Sequence, residues 1–228
     1  MLEDGLLNER AKQRYLRLIG PVSRVFARLG IHPNALTLAG LILSMAAGLV
    51  YSTGLFFWGA WAVVLAGSCD ALDGHLARLS GKNTKFGAFF DSTLDRFGEV
   101  LIFTGLAWHY AGGASWLHTP EGTEASSPSP VFTVLIILII AGSFMVSYTR
   151  ARAEGLGVAC KVGWMQRPER MTLLVVGSLF GAIPVIGPFF MKGALFILAV
   201  LSNATALQRM VFVKNKLMGE KSTPGKTP

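Results

Sequence analysis

Charge is what this chain has least of. Asp, Glu, Lys and Arg make up 15% of its 228 residues, against 52% hydrophobic residues. Three stretches, 35–69, 131–149 and 171–191, hold no charge at all. With a mean hydropathy of +0.50, this excludes an ordinary soluble domain and equally a disordered one. Cysteine is nearly missing, with only Cys69 and Cys160, which excludes a disulfide framework. No short basic leader followed by an apolar run opens the chain, so no cleaved signal is expected. No internal repeat is present.

What remains is apolar sequence in blocks of membrane-crossing length. A bilayer core of about 30 Å needs roughly 20 apolar residues as helix. Length and turn markers predict an all-α integral membrane protein with six spans, at 35–53, 57–79, 87–111, 131–154, 169–186 and 189–211. Residues 1–34 are expected as a cytoplasmic, interfacial leader, 35–213 as the six-helix transmembrane domain, and 214–228 as a flexible cytoplasmic tail. In the leader Ala11, Tyr15, Leu18, Ile19, Val22, Phe26 and Leu29 recur every three or four positions, with arginines on the other face, so an amphipathic helix in the membrane interface is expected.

The 21 Lys and Arg orient the spans. Six fall in residues 10–28, three in 78–85, five in 150–170 and five from 209 onward, while 51–57 and 112–130 carry none. The positive-inside rule then puts both termini and the active site on the cytoplasmic side of the cell (inner) membrane. The net charge of +8 reflects topology and contact with anionic membrane lipids, not nucleic-acid binding. Both cysteines map to that reducing side and are expected as free thiols.

Acid is scarcer still, and its placement is not random. Only five aspartates exist, and four of them, Asp70, Asp73, Asp91 and Asp95, share the window DALDGHLARLSGKNTKFGAFFDSTLD. Asp70 and Asp73 lie three apart at the end of the second span, so they share a face with Gly74 and Ala77. Gly87, Asp91 and Asp95 lie four apart and form one stripe on the third. The polar turn 80–85 folds one helix back on the other and brings the carboxylates together. With so many acids in a partly dehydrated place, either their pKa values rise or a cation sits among them. Oxygen-only ligands suit Mg²⁺ or Mn²⁺. Two such ions bridged by carboxylates suit phosphoryl transfer, and Arg78 and Lys85 can hold further phosphate charge. Glu99 continues the stripe and is expected to pair with Arg96.

The pattern Asp70-x2-Asp73-Gly74-x2-Ala77-Arg78-x8-Gly87-x3-Asp91-x3-Asp95 resembles, without a departure, the signature of the CDP-alcohol phosphatidyltransferases. The six spans and interfacial leader are similar to that family's layout, and His32-Pro33-Asn34-Ala35-Leu36-Thr37 resembles its entry into the first span. The resemblance implies transfer of a phosphatidyl group from a CDP-linked lipid such as CDP-diacylglycerol to an alcohol, with release of CMP. It implies two Mg²⁺ ions, Mn²⁺ being possible. The first would sit on Asp70, Asp73 and Asp91, the second on Asp70, Asp91 and Asp95, with Asp95 also the general base. Asn34, Thr37, Gly74, Ala77, Arg78, Thr84 and Gly87 would cradle the CDP-lipid, and the enzyme would be a homodimer.

For the acceptor, Ser147 and Arg150 end the fourth span, Arg167-Pro168-Glu169-Arg170 opens the fifth, and Arg209 ends the sixth. Arginines meeting from three helices would hold a phosphate dianion, so the acceptor is expected to be a phosphorylated polyol. The segments 147–154 and 166–170 resemble the branch that makes phosphatidylinositol phosphate from inositol 1-phosphate, which implies Ser147, Arg150, Arg170 and Arg209 as the acceptor-phosphate site. Arg150 stands where that branch often has lysine, and Gln166 where it often has glutamate. Glycerol 3-phosphate is the alternative acceptor, giving phosphatidylglycerol phosphate by the same chemistry. From another class, a transporter or proton relay would want acids near the bilayer middle and an inverted repeat.

Overall fold

The computed structural model describes residues 20–113 and 128–221. The first nineteen residues of the expected leader and residues 222–228 of the expected tail lie outside them. Among the described residues every regular element is a helix. Helix α1 covers 20–28 and ends at Gly30, whose φ of 70° is natural for glycine and lets the Ile31 N–H reach back to the Phe26 carbonyl. Then follow α2 Pro33–Ser52, α3 Phe56–Leu79, α4 Lys85–Tyr110, α5 Pro130–Glu154, α6 Arg167–Gly181 and α7 Gly187–Lys221.

The helix starts are written locally. His32 caps α2, its Nδ1 accepting from the Asn34 N–H at 3.2 Å, with Pro33 in the first turn. Thr84 caps α4, its Oγ1 accepting from the Gly87 N–H at 2.9 Å. Prolines also open α5 and α6.

Packing relies on small residues where backbones approach. A methyl group at Gly105 of α4 would overlap the backbone of Gly48 on α2, and one at Gly177 of α6 would overlap the Ala194 side chain on α7. The core between these contacts holds Tyr51, Phe103, Leu106, Ile136, Leu174 and Leu198, all buried. The Tyr51 hydroxyl meets Ser178 Oγ at 2.8 Å, so α2 and α6 share a polar tie within it. Large apolar side chains such as Leu49, Trp58, Ile137, Phe144 and Val200 point outward instead. That inversion of the soluble pattern marks a membrane protein.

Three helices, α2, α5 and α7, are long and apolar enough to cross a membrane. The expected fifth span, 169–186, is shorter than its sequence suggests. Helix α6 stops at Gly181 after 15 residues, and the chain turns through Pro184 and Val185, the latter at a φ of 69°. Helix α7 starts at once and runs to Lys221. Residues 214–221 are therefore helical where a flexible tail was expected. Phe212, Val213 and Leu217 explain it, packing against Ala153, Val158 and Cys160. Both cysteines are free, and burial pushes the Cys160 thiol up, which keeps it protonated.

Candidate active site

The acid-rich window forms the hairpin of α3 and α4. Ser80 closes α3 onto the Leu76 carbonyl, Gly81 turns with a φ of 65°, and the Lys82 N–H returns to the Ala77 carbonyl. This tight exit lets the end of α3 lie beside the start of α4. Carboxylate oxygens of Asp70, Asp91 and Asp95 all come within 4.8 Å of one another. Asp73 stands apart from that group: its Oδ2 accepts from Thr37 Oγ1 at 2.6 Å, which ties α3 to α2. The helical spacing thus brings three of the four aspartates into one cluster and gives the fourth to a neighbouring helix.

A guanidinium reaches this cluster from a third helix. Arg167 Nη1 lies 2.5 Å from Asp70 Oδ2 and 2.9 Å from Asp95 Oδ1. Its two ion pairs go to Asp70 and Asp95, and Asp91 Oδ1 is buried without a hydrogen-bond partner. A buried carboxylate oxygen left alone is costly, and a bound cation would satisfy it. The donors are all carboxylate oxygens, the set that hard divalent ions prefer. The residues present fit such an ion. A small cleft adjoins the cluster, lined by Thr37, Gly40, Ser44, Asp70, Asp95 and Arg167 among others.

The expected CDP-lipid residues fall into small groups. Asn34, Thr84 and Gly87 meet where α2 and α4 begin: a Cβ on Gly87 would lie 3.1 Å from Thr84 Oγ1 and 3.6 Å from Asn34 Oδ1. Gly74 stands beside Arg78, with 3.8 Å between a Cβ built at Gly74 and Arg78 Nη1, and Ala77 lies between them on α3. Thr37 holds Asp73.

The expected acceptor residues do not form an open cationic pocket here. Arg170 is only 2% exposed. Its Nε and Nη2 donate to Glu99 Oε1 and Oε2 at 2.7 and 2.9 Å, and its Nη1 to the Met165 carbonyl at 3.0 Å. Glu99 therefore pairs with Arg170 and not with Arg96, because a carboxylate so deep needs a fork that meets both its oxygens. Arg96 instead donates to Ser147 Oγ at 3.1 Å and to the Ser92 carbonyl. Arg209 is buried too, donating through Nε to the Val162 carbonyl at 2.7 Å and through Nη1 to that of Val146. Arg150 faces outward, paired with Glu154 at 2.9 Å. Arg170 and Arg209 do converge on one feature, the loop before α6, through Met165 and Val162.

Sequence reasoning missed two things: the place of Arg167 among the acids, and the Glu99–Arg170 pair. The one available signal was that a glutamate deep in a span needs a cationic partner. It could not say which.

The comparisons with known proteins agree with this geometry. The model of the CDP-alcohol phosphatidyltransferase family matches residues 30–211, and the chain belongs to that family. It is a membrane-bound transferase. It is 36% identical over 201 residues to the archaetidylinositol phosphate synthase of Methanothermobacter thermautotrophicus, covering 88% of this chain and 91% of that protein. To the phosphatidylinositol phosphate synthase of Mycolicibacterium smegmatis it is 36% identical over 202 residues, covering 88% and 85%. Among solved structures it resembles the phosphatidylinositol phosphate synthase of Mycobacterium tuberculosis with CDP-DAG bound, at a TM-score of 0.72 and 30% identity, covering 86% of this chain and 94% of that one. The same enzyme in complex with manganese and citrate matches at a TM-score of 0.73 and 31% identity, covering 85% and 88%.

Proposed function

We propose that this protein transfers a phosphatidyl group from CDP-diacylglycerol to inositol 1-phosphate, forming phosphatidylinositol phosphate and CMP. The observation that carries the reading is the approach of Asp70, Asp91 and Asp95 in a family whose solved member takes CDP-DAG and manganese. The two named relatives differ in their lipid and agree on an inositol phosphate headgroup, which supports inositol 1-phosphate over glycerol 3-phosphate.

Asp70, Asp91 and Asp95 would hold divalent cations, Mg²⁺ or Mn²⁺, with Asp73 joining them on release from Thr37. Bound there, the cations would neutralise the diphosphate and the charge that builds on departing CMP. Asp95 takes the proton of the acceptor hydroxyl. Asn34, Thr37, Thr84 and Gly87 receive the CDP moiety from one side, and Gly74, Ala77 and Arg78 from the other. Ser147, Arg150, Arg170 and Arg209 hold the acceptor phosphate, and side-chain movement away from the present partners is part of that step. Positioning and electrostatics carry the rate, since the phosphorus chemistry needs no covalent help from the protein.

The architecture we propose has α2 to α7 as six spans, with both termini and the acid cluster on the cytoplasmic face of the cell membrane and two chains in a homodimer. Residues 1–34 lie in the interface and 35–213 form the catalytic domain. Release of CMP from CDP-diacylglycerol by the purified protein tests the reaction. Release with inositol 1-phosphate and a divalent cation is expected. Release with glycerol 3-phosphate alone would move the acceptor, and release with neither would overturn the reading.

A further inference from the structure

We propose that Arg167 is an internal counter-ion that fills the metal site while no metal is bound, and that divalent cations bind by displacing it. The proposal deepens the divalent-cation reading above and rests on it. Two arginines leave the first turn of α6 toward acids, and the structure treats them differently. Arg170 is 2% exposed and fully engaged, with both carboxylate oxygens of Glu99 and the Met165 carbonyl as acceptors. It is a fixed pair. Arg167 is 24% exposed along its side chain, and a single nitrogen, Nη1, bridges Asp70 and Asp95. Its Nε is buried with no hydrogen-bond partner.

The arrangement is also unfinished from the carboxylate side. Asp91 belongs to the same cluster, yet its Oδ1 has no partner. One guanidinium nitrogen cannot gather three carboxylates, whereas a divalent ion with several coordination sites can. Arg167 thus relieves the repulsion between Asp70 and Asp95 well enough to keep the hairpin assembled, and no better. Its position favours exchange, because it is the first residue of α6 and follows an extended Gln166, so its side chain can swing without disturbing a helical turn behind it. A cation entering the cluster competes with Nη1 for the same oxygens and, once bound, repels the guanidinium.

Both effects have one sign. Removing the charge at 167 removes the competitor before loading and the repulsion after it, so metal should bind more tightly. Full-length protein in detergent, free of CDP-lipid, is titrated with Mn²⁺ at fixed pH, with free Mn²⁺ followed by electron paramagnetic resonance. Arg167→Gln is expected to lower the Mn²⁺ Kd about tenfold relative to wild type, as loss of a partly buried charge-assisted contact implies. Its metal-free form should melt at a lower temperature, and Mn²⁺ should raise that temperature by more than in wild type. An unchanged or weaker Kd overturns the proposal. If Arg167→Gln does not fold, Arg167→Lys serves: an ammonium is more strongly hydrated than a guanidinium and its side chain reaches less far, so it competes less well for the two carboxylates, Mn²⁺ should bind about threefold more tightly, and an unchanged Kd again overturns it. Wild-type protein that binds no Mn²⁺ at all would instead overturn the cation reading itself.

Discussion

Arg170 and Glu99 form a doubly hydrogen-bonded ion pair, at 2.7 and 2.9 Å, with both residues buried and drawn from α6 and α4. A planar fork facing a carboxylate is the strongest geometry such a pair can take. Breaking it from one side leaves a buried charge alone, so Glu99→Ala should lose about 3–5 kcal/mol of stability, read from thermal unfolding in detergent. Replacing both, as Glu99→Leu with Arg170→Met, should restore most of that loss while raising the KM for inositol 1-phosphate. A stable double variant with a wild-type acceptor KM would remove Arg170 from the acceptor site.

This pair also shows where sequence stops being informative. The Asp70 to Asp95 hairpin was readable because its parts are local: spacings of three and four on helices, joined by a short polar turn with Gly81. The starts of α2, α4, α5 and α6 fall within two residues of the expected 35, 87, 131 and 169, since the punctuation there is local too. Glu99 and Arg170 lie 71 positions apart, and Asp70 and Arg167 lie 97 apart. Which arginine meets which acid is decided by how α6 docks on α3 and α4, which no local pattern encodes. The early end of α6 was missed because residues 182–186 are as apolar as the helix itself, and only Pro184 and the left-handed Val185 break it. The helical tail was missed because its polar composition hides the Phe212, Val213 and Leu217 stripe.

Asp95→Asn keeps the size of the side chain and removes its basicity. Turnover should fall by roughly 10²–10⁴-fold, the usual contribution of a general base, while the protein still binds CDP-diacylglycerol. Near wild-type CMP release from this variant would exclude Asp95 as the base.

Chelation offers a test that needs no variant. With EDTA present, CMP release should vanish, and Mg²⁺ or Mn²⁺ added in excess should restore it. Asp91→Asn, which takes one charge from the cluster, should need a higher Mn²⁺ concentration for half-maximal activity, by about tenfold or more for a lost charged ligand. An unchanged metal requirement would place the ion elsewhere.

The close passage of α2 and α4 carries its own prediction. Gly105→Ala drives a methyl group into the backbone of Gly48 and should cost about 1–3 kcal/mol through overpacking. Because Asp91 and Asp95 ride on α4, the same change should also reduce CMP release more than it reduces the folded fraction. Wild-type melting would mean that the two helices separate there more easily than their contact suggests.

Three converging carboxylates should move a phosphatidyl group onto an inositol phosphate. The most direct test is one competition: purified protein, CDP-diacylglycerol and Mg²⁺, with inositol 1-phosphate and glycerol 3-phosphate at equal concentration, and the lipid product identified by mass spectrometry. The expected result is phosphatidylinositol phosphate as the main product, in a one-to-one ratio with CMP, and neither compound from Asp95→Asn. Phosphatidylglycerol phosphate as the main product, or lipid made equally well by Asp95→Asn, would contradict it.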